Sequence, residues 1–313
     1  MPPPVPKDRF RGCLLGLAVG DALGAPYEGL PPDFVYWMWG PVRDLLDRPD
    51  PEPLRYTDDT QMMIGVAEAL AAHGEIQADD LMRRFTANYD PERGYGSGAR
   101  KLLECAADGG DWRGLADTVF PGGSYGNGAA MRVAPVGLLF ANDLDRVAAQ
   151  ARLSALPTHR HPLGVEGAVL LAVAVALAAE GPPFDRRAFY RRLRPFSAAE
   201  EFQWQLRAAQ KLKARHTQSF LGNSLPAHQS VVAAIACFTT CPESYPDAVA
   251  RAITLGDDTD TLAAMAGALA GAHLGAGAIP RQWIDRFKQG PKGLPYVRDL
   301  ADTLHDRYVT ASS

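Results

Sequence analysis

Two short segments of this chain concentrate acidic and hydroxyl side chains. Residues 57–60 read Thr-Asp-Asp-Thr and residues 256–261 read Gly-Asp-Asp-Thr-Asp-Thr, and each directly precedes a stretch rich in Ala, Gly and Met. A single segment of this kind would be interpreted as a helix cap, since Asp and Thr oxygens accept hydrogen bonds from free N–H groups at a helix start. Two such segments leading into apolar helices need more than capping, because carboxylates gathered near a core repel one another unless a cation compensates. We therefore favour a metal site over capping alone.

The types of ligand narrow the choice of metal. Asp and Thr offer hard oxygen ligands, which suit Mg²⁺ or, in its place, Mn²⁺. Neither segment contains His or Cys, which argues against zinc. If the two helix starts meet with their acids facing each other, they form a site for two metal ions.

A glycine-rich segment and a pair of histidines are further candidates for binding. Residues 123–128 (Gly-Ser-Tyr-Gly-Asn-Gly) run into a predicted helix start, whose backbone N–H groups can bind an anion, commonly a phosphate. A plain turn explains the same residues equally well, and neither G-x-G-x-x-G nor G-x-x-x-x-G-K-[ST] occurs in the chain. His159 and His161 flank Arg160 before a proline, which indicates either a binding loop or structural histidines.

Helical spacing dominates the elements that must position these groups. Residues 8–23 carry Gly12, Gly16 and Gly20 four apart, which predicts the close approach of a neighbouring helix. A helix is also predicted between a Thr57 cap and a stop near Gly74. Further helices are predicted at about 78–89, 97–108, 129–141, 144–155, 164–180, 185–194, 198–213, 227–238, 245–253, 259–273 and 280–288. The prediction is an all-α protein, a compact single-domain orthogonal bundle of many helices with a binuclear metal cleft.

Three parts of the chain are predicted to lie outside this helical pattern. Residues 29–56 and 109–128 are expected to be long non-helical stretches, of which the first is rich in proline and aromatic residues and is suited to an ordered loop or lid. Residues 1–7 are expected to be a disordered tail of a single domain that spans residues 1–313.

Composition excludes several classes of protein. The chain is 47% hydrophobic and 22% charged with a net charge of −4, which is typical of a globular protein and argues against a dedicated nucleic-acid or membrane binder. The apolar stretch at 165–179 is shorter than the ~20 residues needed to cross a bilayer, so it predicts a core helix. The basic and apolar N-terminus imitates a signal peptide, but we interpret it as a buried first helix. Cys237 and Cys241 are expected to be a reduced pair, in a cytoplasmic monomer.

Taken in order, these segments resemble the ADP-ribosylglycohydrolase family. The resemblance is carried by residues 11–16, residues 20–24 with Glu28, residues 57–60, 126–132, 158–159 and 256–261. It implies an all-α fold with a binuclear Mg²⁺ centre in a cleft that holds ADP-ribose. The implied partner is an ADP-ribosylated protein or another ADP-ribose conjugate.

The resemblance also implies roles for individual residues. The implied metal ligands are Thr57, Asp58, Asp59, Asp258, Asp260 and Thr261. Asp257 is left out because relatives often carry glycine at this position. The implied substrate-binding residues are Phe120, Gly123, Ser124, Tyr125, Gly126, Asn127 and His159, with Tyr125 stacking on adenine. Glu28 corresponds to a mobile acid near the metals, and both Glu28 and Asp258 are candidates for guiding proton transfer.

The implied activity is Mg²⁺-dependent hydrolysis of the glycosidic bond between ADP-ribose and an acceptor. Residues 90–96 and 123–128 resemble the branch that cleaves serine-linked ADP-ribose, poly(ADP-ribose) and O-acetyl-ADP-ribose, so an O-linked acceptor is preferred over arginine. One alternative is a catalytically silent ADP-ribose-binding protein. Another is a metal-dependent phosphodiesterase, which would release AMP instead of intact ADP-ribose.

Overall fold

The computed structural model describes residues 4–39, 53–213, 221–287 and 290–312. Within these ranges the chain is helical and forms no β-strand, only isolated bridges between single residue pairs. The helices of the first half are α1 (Lys7–Gly24), α2 (Pro32–Trp39), α3 (Asp58–His73), α4 (Ala78–Asn88), α5 (Ser97–Ala107), α6 (Trp112–Thr118), α7 (Ala134–Leu139) and α8 (Leu144–Ala155). Those of the second half are α9 (Pro162–Ala178), α10 (Arg186–Leu193), α11 (Glu200–Lys211), α12 (Ala227–Thr240), α13 (Tyr245–Thr254), α14 (Thr259–Leu274), α15 (Arg281–Asp285) and α16 (Leu294–Ser312). The all-α prediction is confirmed.

A stripe of small residues brings the backbones of α1 and α14 into contact. A Cβ atom on Gly16 would lie 2.5 Å from the carbonyl oxygen of Gly267, and one on Gly24 would lie 2.6 Å from the Cα of Asp260. Any larger residue would push the two helices apart, because the closely packed backbones leave no space for a side chain between them. The helices run antiparallel, so the end of α1 lies against the start of α14. The close approach predicted from the glycine spacing is confirmed, and it delivers the second acidic segment to the end of α1.

The apolar helix α9 lies in the core, as predicted from its composition. Its residues from Gly167 to Ala178 are buried on all sides. This explains why it lacks the polar face of a surface helix. None of the helices in the described ranges combines the length and apolar character that crossing a membrane requires.

The C-terminal helix α16 is absent from the sequence prediction, yet it anchors the N-terminal segment. Arg11 donates two hydrogen bonds to the carboxylate of Asp302, at 2.6 and 2.7 Å. Val5 is buried, and its N–H donates to the hydroxyl of Tyr308 at 3.1 Å. The expectation that residues 1–7 form a disordered tail is therefore corrected over residues 4–7, which pack or enter α1.

Other boundaries also differ from the predicted ones. Residues 29–56 contain α2, which begins at Pro32 because proline suits the first turn of a helix; residues 40–52 lie outside the described residues. Residues 109–128 contain α6, capped by Asp111, whose carboxylate accepts from the N–H of Gly114 at 3.0 Å. The helix predicted at 129–141 begins only at residue 134, since Pro135 is confined to a first turn.

Candidate active site

Asp21 of α1 fixes the start of α3. Its buried carboxylate accepts hydrogen bonds from the N–H groups of Thr57 and Thr60 at 3.0 and 3.1 Å. The hydroxyls of the same two residues donate to it at 2.8 and 2.5 Å. Thr57 in turn caps α3 by accepting from the N–H of Asp59 at 3.4 Å. The first acidic segment is therefore held rigidly against α1 by a residue to which the sequence analysis gives no role in the site.

The second acidic segment is held by backbone contacts with the segment that follows α1. The N–H of Gly29 donates to the carbonyl of Asp257 at 2.7 Å, and the N–H of Asp257 donates to the carbonyl of Leu30 at 2.8 Å. Asp257 has a φ of +59°, a left-handed conformation that glycine adopts freely and Asp tolerates. Its backbone therefore serves the turn. The hydroxyl of Thr259 adds a further contact between the two segments, since it donates to the carbonyl of Gly24 at 2.9 Å.

The two acidic segments meet at the start of α3 and α14. The hydroxyl of Thr261 donates to Asp59 at 3.4 Å, which joins the segments directly. Carboxylate oxygens of Glu28, Asp258 and Asp260 all lie within 4.8 Å of one another. Asp59, Asp258 and Asp260 are buried, whereas Glu28 is exposed to solvent. The arrangement gathers acids from both halves of the chain around one point.

Burial, and then the crowding of like charges, raises the pKa values of these acids. Burial is the largest cause, and it raises the pKa of Asp58 to about 8 and that of Asp258 to about 6. The pKa values of Asp59 and Asp260 rise well above their usual range, because burial is joined by repulsion from neighbouring carboxylates. Burial, and then the charge of Asp257, also raise the pKa of Glu28. Each acid is therefore costly to ionise without a nearby positive charge.

The residues present fit a divalent cation. The Oδ1 atom of Asp59 is buried and accepts no hydrogen bond from the described residues. A buried carboxylate oxygen without a partner is unfavourable, and a cation would satisfy it. The surrounding groups supply only oxygen atoms, the ligand type that Mg²⁺ and Mn²⁺ prefer.

The glycine-rich loop, residues 123–128, lies beside this acidic cluster. Its backbone is hydrogen-bonded to the residues around the start of α12. The N–H of Asn127 donates to the carbonyl of Leu225, and the N–H of Ala227 donates to the carbonyl of Tyr125, both at 2.9 Å. The amide group of Asn127 donates to Asp258 at 2.5 Å and to Ser230 at 3.0 Å. Asn127 therefore connects the loop to the acids, a contact that the sequence prediction of a substrate-binding role does not include.

The other predicted substrate-binding residues divide into exposed and packed groups. Tyr125 is 52% exposed, and its ring meets that of His161 edge to face at 5.8 Å. Phe120 is 40% exposed, and its ring packs against α5, where a Cβ on Gly98 would lie 2.9 Å from the Cζ atom of Phe120. The hydroxyl of Ser124 accepts from the loop N–H of residue 126 at 3.3 Å. The role of Phe120 beside adenine stays a prediction, as does that of Tyr125.

Gln61 is a supporting residue that the sequence analysis does not identify. Its side-chain carbonyl accepts from the N–H of Asp90 at 3.0 Å and from the hydroxyl of Tyr95 at 2.7 Å. Arg93 adds a hydrogen bond to the carbonyl of Tyr56 at 2.6 Å. Segment 90–96 is thereby held against the first turn of α3. The only local signal for Gln61 was its position directly after the Thr-Asp-Asp-Thr segment.

An all-α fold in which two acidic helix starts meet beside a glycine-rich loop is suited to a hydrolytic enzyme, since clustered carboxylates can take up and release protons. The chain belongs to the ADP-ribosylglycohydrolase family, whose family model matches residues 2–313. The resemblance drawn from the motifs is confirmed over nearly the whole chain.

Individual relatives agree with this assignment. ADP-ribosylhydrolase ARH3 of Mus musculus is 35% identical, over 97% of this chain and 93% of that protein. ADP-ribosylhydrolase ARH3 of Homo sapiens is also 35% identical, over 95% of this chain and 93% of that protein. A solved structure described as an ADP-ribosylglycohydrolase-related protein complex matches with a TM-score of 0.73 and 29% identity, covering 96% of this chain and 98% of that one.

Proposed function

We propose that this enzyme hydrolyses the bond between ADP-ribose and an O-linked acceptor, such as serine, poly(ADP-ribose) or an O-acetyl group. The proposal rests on one observation above all: buried Asp59, Asp258 and Asp260 meet, and one carboxylate oxygen of Asp59 has no hydrogen-bond partner among the described residues. The similarity to the ARH3 proteins, and the position of segment 90–96 beside Asp58, support the preference for O-linked acceptors.

Two divalent cations, Mg²⁺ or Mn²⁺, are proposed as cofactors. The proposed ligands are Thr57, Asp58, Asp59, Asp258, Asp260 and Thr261. Bound there, the cations would supply positive charge that offsets the carboxylates, orients ribose hydroxyls and acidifies a nearby water. The raised pKa values of these acids support the proposal, since burial and neighbouring carboxylates make the acids unfavourable to ionise without a nearby cation.

Proton transfer is proposed to fall to Glu28 rather than Asp258. Hydrolysis breaks the bond between the anomeric carbon and the acceptor oxygen and forms a bond from that carbon to water, so the water loses a proton and the departing acceptor oxygen gains one; a carboxylate can accept the first and return it to the second. Asp258 already accepts a hydrogen bond from Asn127 and is buried, which suits a fixed ligand. Glu28 is exposed and its pKa is raised, which suits a group that exchanges protons.

Substrate binding is proposed to use the glycine-rich loop. Its backbone N–H groups would hold the diphosphate, and the exposed rings of Tyr125 and Phe120 would bind adenine. We also propose that the chain is a single-domain monomer in the cytoplasm. Its four cysteines are free, which supports a reducing compartment.

The activity is tested by the release of ADP-ribose from serine-linked and arginine-linked peptides, each with Mg²⁺ and with a chelator. Mg²⁺-dependent release from the serine peptide alone is the expected result. Release from the arginine peptide alone would keep the family and overturn the acceptor. Binding of ADP-ribose without release from either peptide would instead favour a silent binding protein, and release of AMP would indicate a phosphodiesterase.

Variants separate the proposed roles. Asp59→Asn should lose both metal binding and activity, whereas Glu28→Gln should lose activity but still bind ADP-ribose. Asp80→Asn is the matched control, since Asp80 is a buried aspartate whose partners His73, Arg83 and Arg84 lie outside the cluster. It should lower the melting temperature and leave the metal stoichiometry intact. A fully active Asp59→Asn protein would refute the metal assignment.

A further inference from the structure

Thr158 lies between the buried side chains of Arg132 and His159. Its hydroxyl oxygen is 2.8 Å from Nη2 of Arg132 and 2.7 Å from Nδ1 of His159. All three residues are buried. Arg132 is itself immobilised, because the same Nη2 donates to the carbonyl of Ser154 at 2.8 Å and its guanidinium lies 4.7 Å from the ring centroid of Phe85.

The donors and acceptors in this chain of contacts determine where the protons lie. Arginine only donates, so the Thr158 oxygen accepts from Arg132. The hydroxyl has one hydrogen, and His159 Nδ1 is its only acceptor among the described residues. If Nδ1 carried a proton, the buried hydroxyl hydrogen would have no partner, which is unfavourable. The favoured arrangement has Nδ1 accepting, so the ring proton of a neutral His159 lies on Nε2.

The imidazolium form is also disfavoured. Burial, and then the positive charge of Arg132, lower the pKa of His159 to about 3. At neutral pH the ring therefore carries a single proton. Both observations agree on a neutral imidazole.

The protonated nitrogen faces the glycine-rich loop. A Cβ on Gly126 would lie 3.5 Å from Nε2, and one on Gly128 would lie 3.2 Å from it. Nε2 makes no hydrogen bond to any residue in the described part of the chain. A donor that has a fixed direction and no acceptor among the described residues is suited to an oxygen atom of a bound ligand.

We propose that Thr158, oriented by Arg132, is a positioning residue that fixes His159 as a neutral Nε2–H donor to an oxygen of ADP-ribose bound at residues 123–128. The identity of the ligand rests on the proposed function, whereas the tautomer of His159 does not. Thr158 touches no substrate and acts only through the ring of His159.

Long-range ¹H–¹⁵N correlation spectra of the ligand-free protein test the tautomer directly. The His159 signals are assigned by their loss in His159→Gln. The wild-type protein should show the Nε2–H form, with an Nδ1 resonance shifted by the hydrogen bond that it accepts. A wild-type spectrum with the proton on Nδ1 would overturn the inference without reference to ADP-ribose.

Calorimetric titration with ADP-ribose tests whether the orientation of His159 by Thr158 contributes to ligand affinity. Thr158→Val keeps the shape but removes the hydroxyl, and it should abolish the Nδ1 shift and weaken ADP-ribose binding about 3- to 10-fold. Thr158→Ser restores the hydroxyl and should rescue both measurements. Thr239→Val is the matched control, because Thr239 is a buried threonine paired with Tyr190 at 2.9 Å, and it should change neither.

The outcomes separate the inference from the proposed function. If Thr158→Val keeps the wild-type Nδ1 shift and affinity, the positioning role is wrong. If Thr158→Val does not fold, the wild-type tautomer and the Thr158→Ser affinity still decide. If the wild-type protein shows the Nε2–H tautomer but does not bind ADP-ribose, the assignment of the ligand fails and the tautomer stands.

Discussion

Binding of Mg²⁺ to the metal-free protein should release protons, and the structure gives their approximate number. At pH 7 a group with a pKa of about 8, as for Asp58, is about nine-tenths protonated, whereas a pKa of about 6, as for Asp258, leaves about one-tenth. Asp59 and Asp260, whose pKa values are raised well above the usual range, contribute up to about two further protons. Because a metal ligand must be ionised, binding should release about one to three protons per protein.

Titration calorimetry in two buffers with different ionisation enthalpies measures this number. The count should fall between pH 7 and pH 9, since Asp58 ionises over that range before any metal binds. Asp58→Asn should reduce the count at pH 7 by about one. Binding at pH 7 with no proton release would refute the reasoning that crowded acids are held protonated.

The same acids set the pH dependence of the metal-free fold. Their folded pKa values lie above the unfolded value, so the folded state binds more protons and its stability should rise as the pH falls from about 8.5 to 7. The expected slope is about 1.4 kcal/mol per pH unit for each proton taken up. His159 and His273, whose pKa values burial lowers from 6.5, act in the opposite direction only below about pH 6.5. Urea titrations without metal provide the measurement, and a stability that falls from pH 8.5 to 7 would contradict the prediction.

Three further substitutions test the supports of the site. Gly16→Ala should lower the free energy of unfolding by about 1–3 kcal/mol, since its methyl group would lie 2.5 Å from a carbonyl oxygen of α14. The control is Gly277→Ala, because a Cβ at Gly277 meets open space. Equal denaturation midpoints for the two variants would contradict the close packing. Asp21→Asn should weaken Mg²⁺ binding about 10-fold or more in calorimetry, because an amide nitrogen cannot accept the hydrogen bonds that hold α3. Lys292→Met should destabilise the protein by about 1–3 kcal/mol, since it removes a charged partner of the buried Glu68, and an unchanged denaturation midpoint would exclude that role.

Local signals predicted the helices that carry the site. Thr57 was predicted to cap α3 and Gly74 to end it, and both do so, with Gly74 at a φ of +71°. The start of α14 at Thr259 was also predicted. These boundaries depend on the residues immediately beside them, so the sequence contains the information directly.

Other local signals were present and misinterpreted. Leu294, Val297, Ala301, Leu304 and Tyr308 are buried at helical spacing along α16, a pattern as regular as those that predicted other helices. The proline-rich segment that was expected to be non-helical contains α2, and one of its prolines starts that helix. The sequence therefore contains local signals for both α2 and α16.

Contacts between distant residues could not be predicted from spacing. Asn127 meets Asp258 across 131 positions of the chain, and Arg132 meets Thr158 across 26. Asn, Asp, Thr and Arg side chains also occur on surfaces and at helix ends, where they make other hydrogen bonds. Their partners here are therefore set by the packing of the fold. The motif residues were therefore predictable as a set, whereas the residues that orient them were not.

The helix α1 explains how residues that bind no metal control the proposed metal site. Through Asp21 it holds the start of α3, and through Gly24 it contacts the start of α14. Both acidic segments are thus positioned by the same helix, α1. The distance between them depends on how closely α1 approaches α14. A methyl group at Gly16 would increase that distance and shift one segment relative to the other, because α3 would move with α1. The spacing of small residues in α1 therefore serves the site as well as the fold.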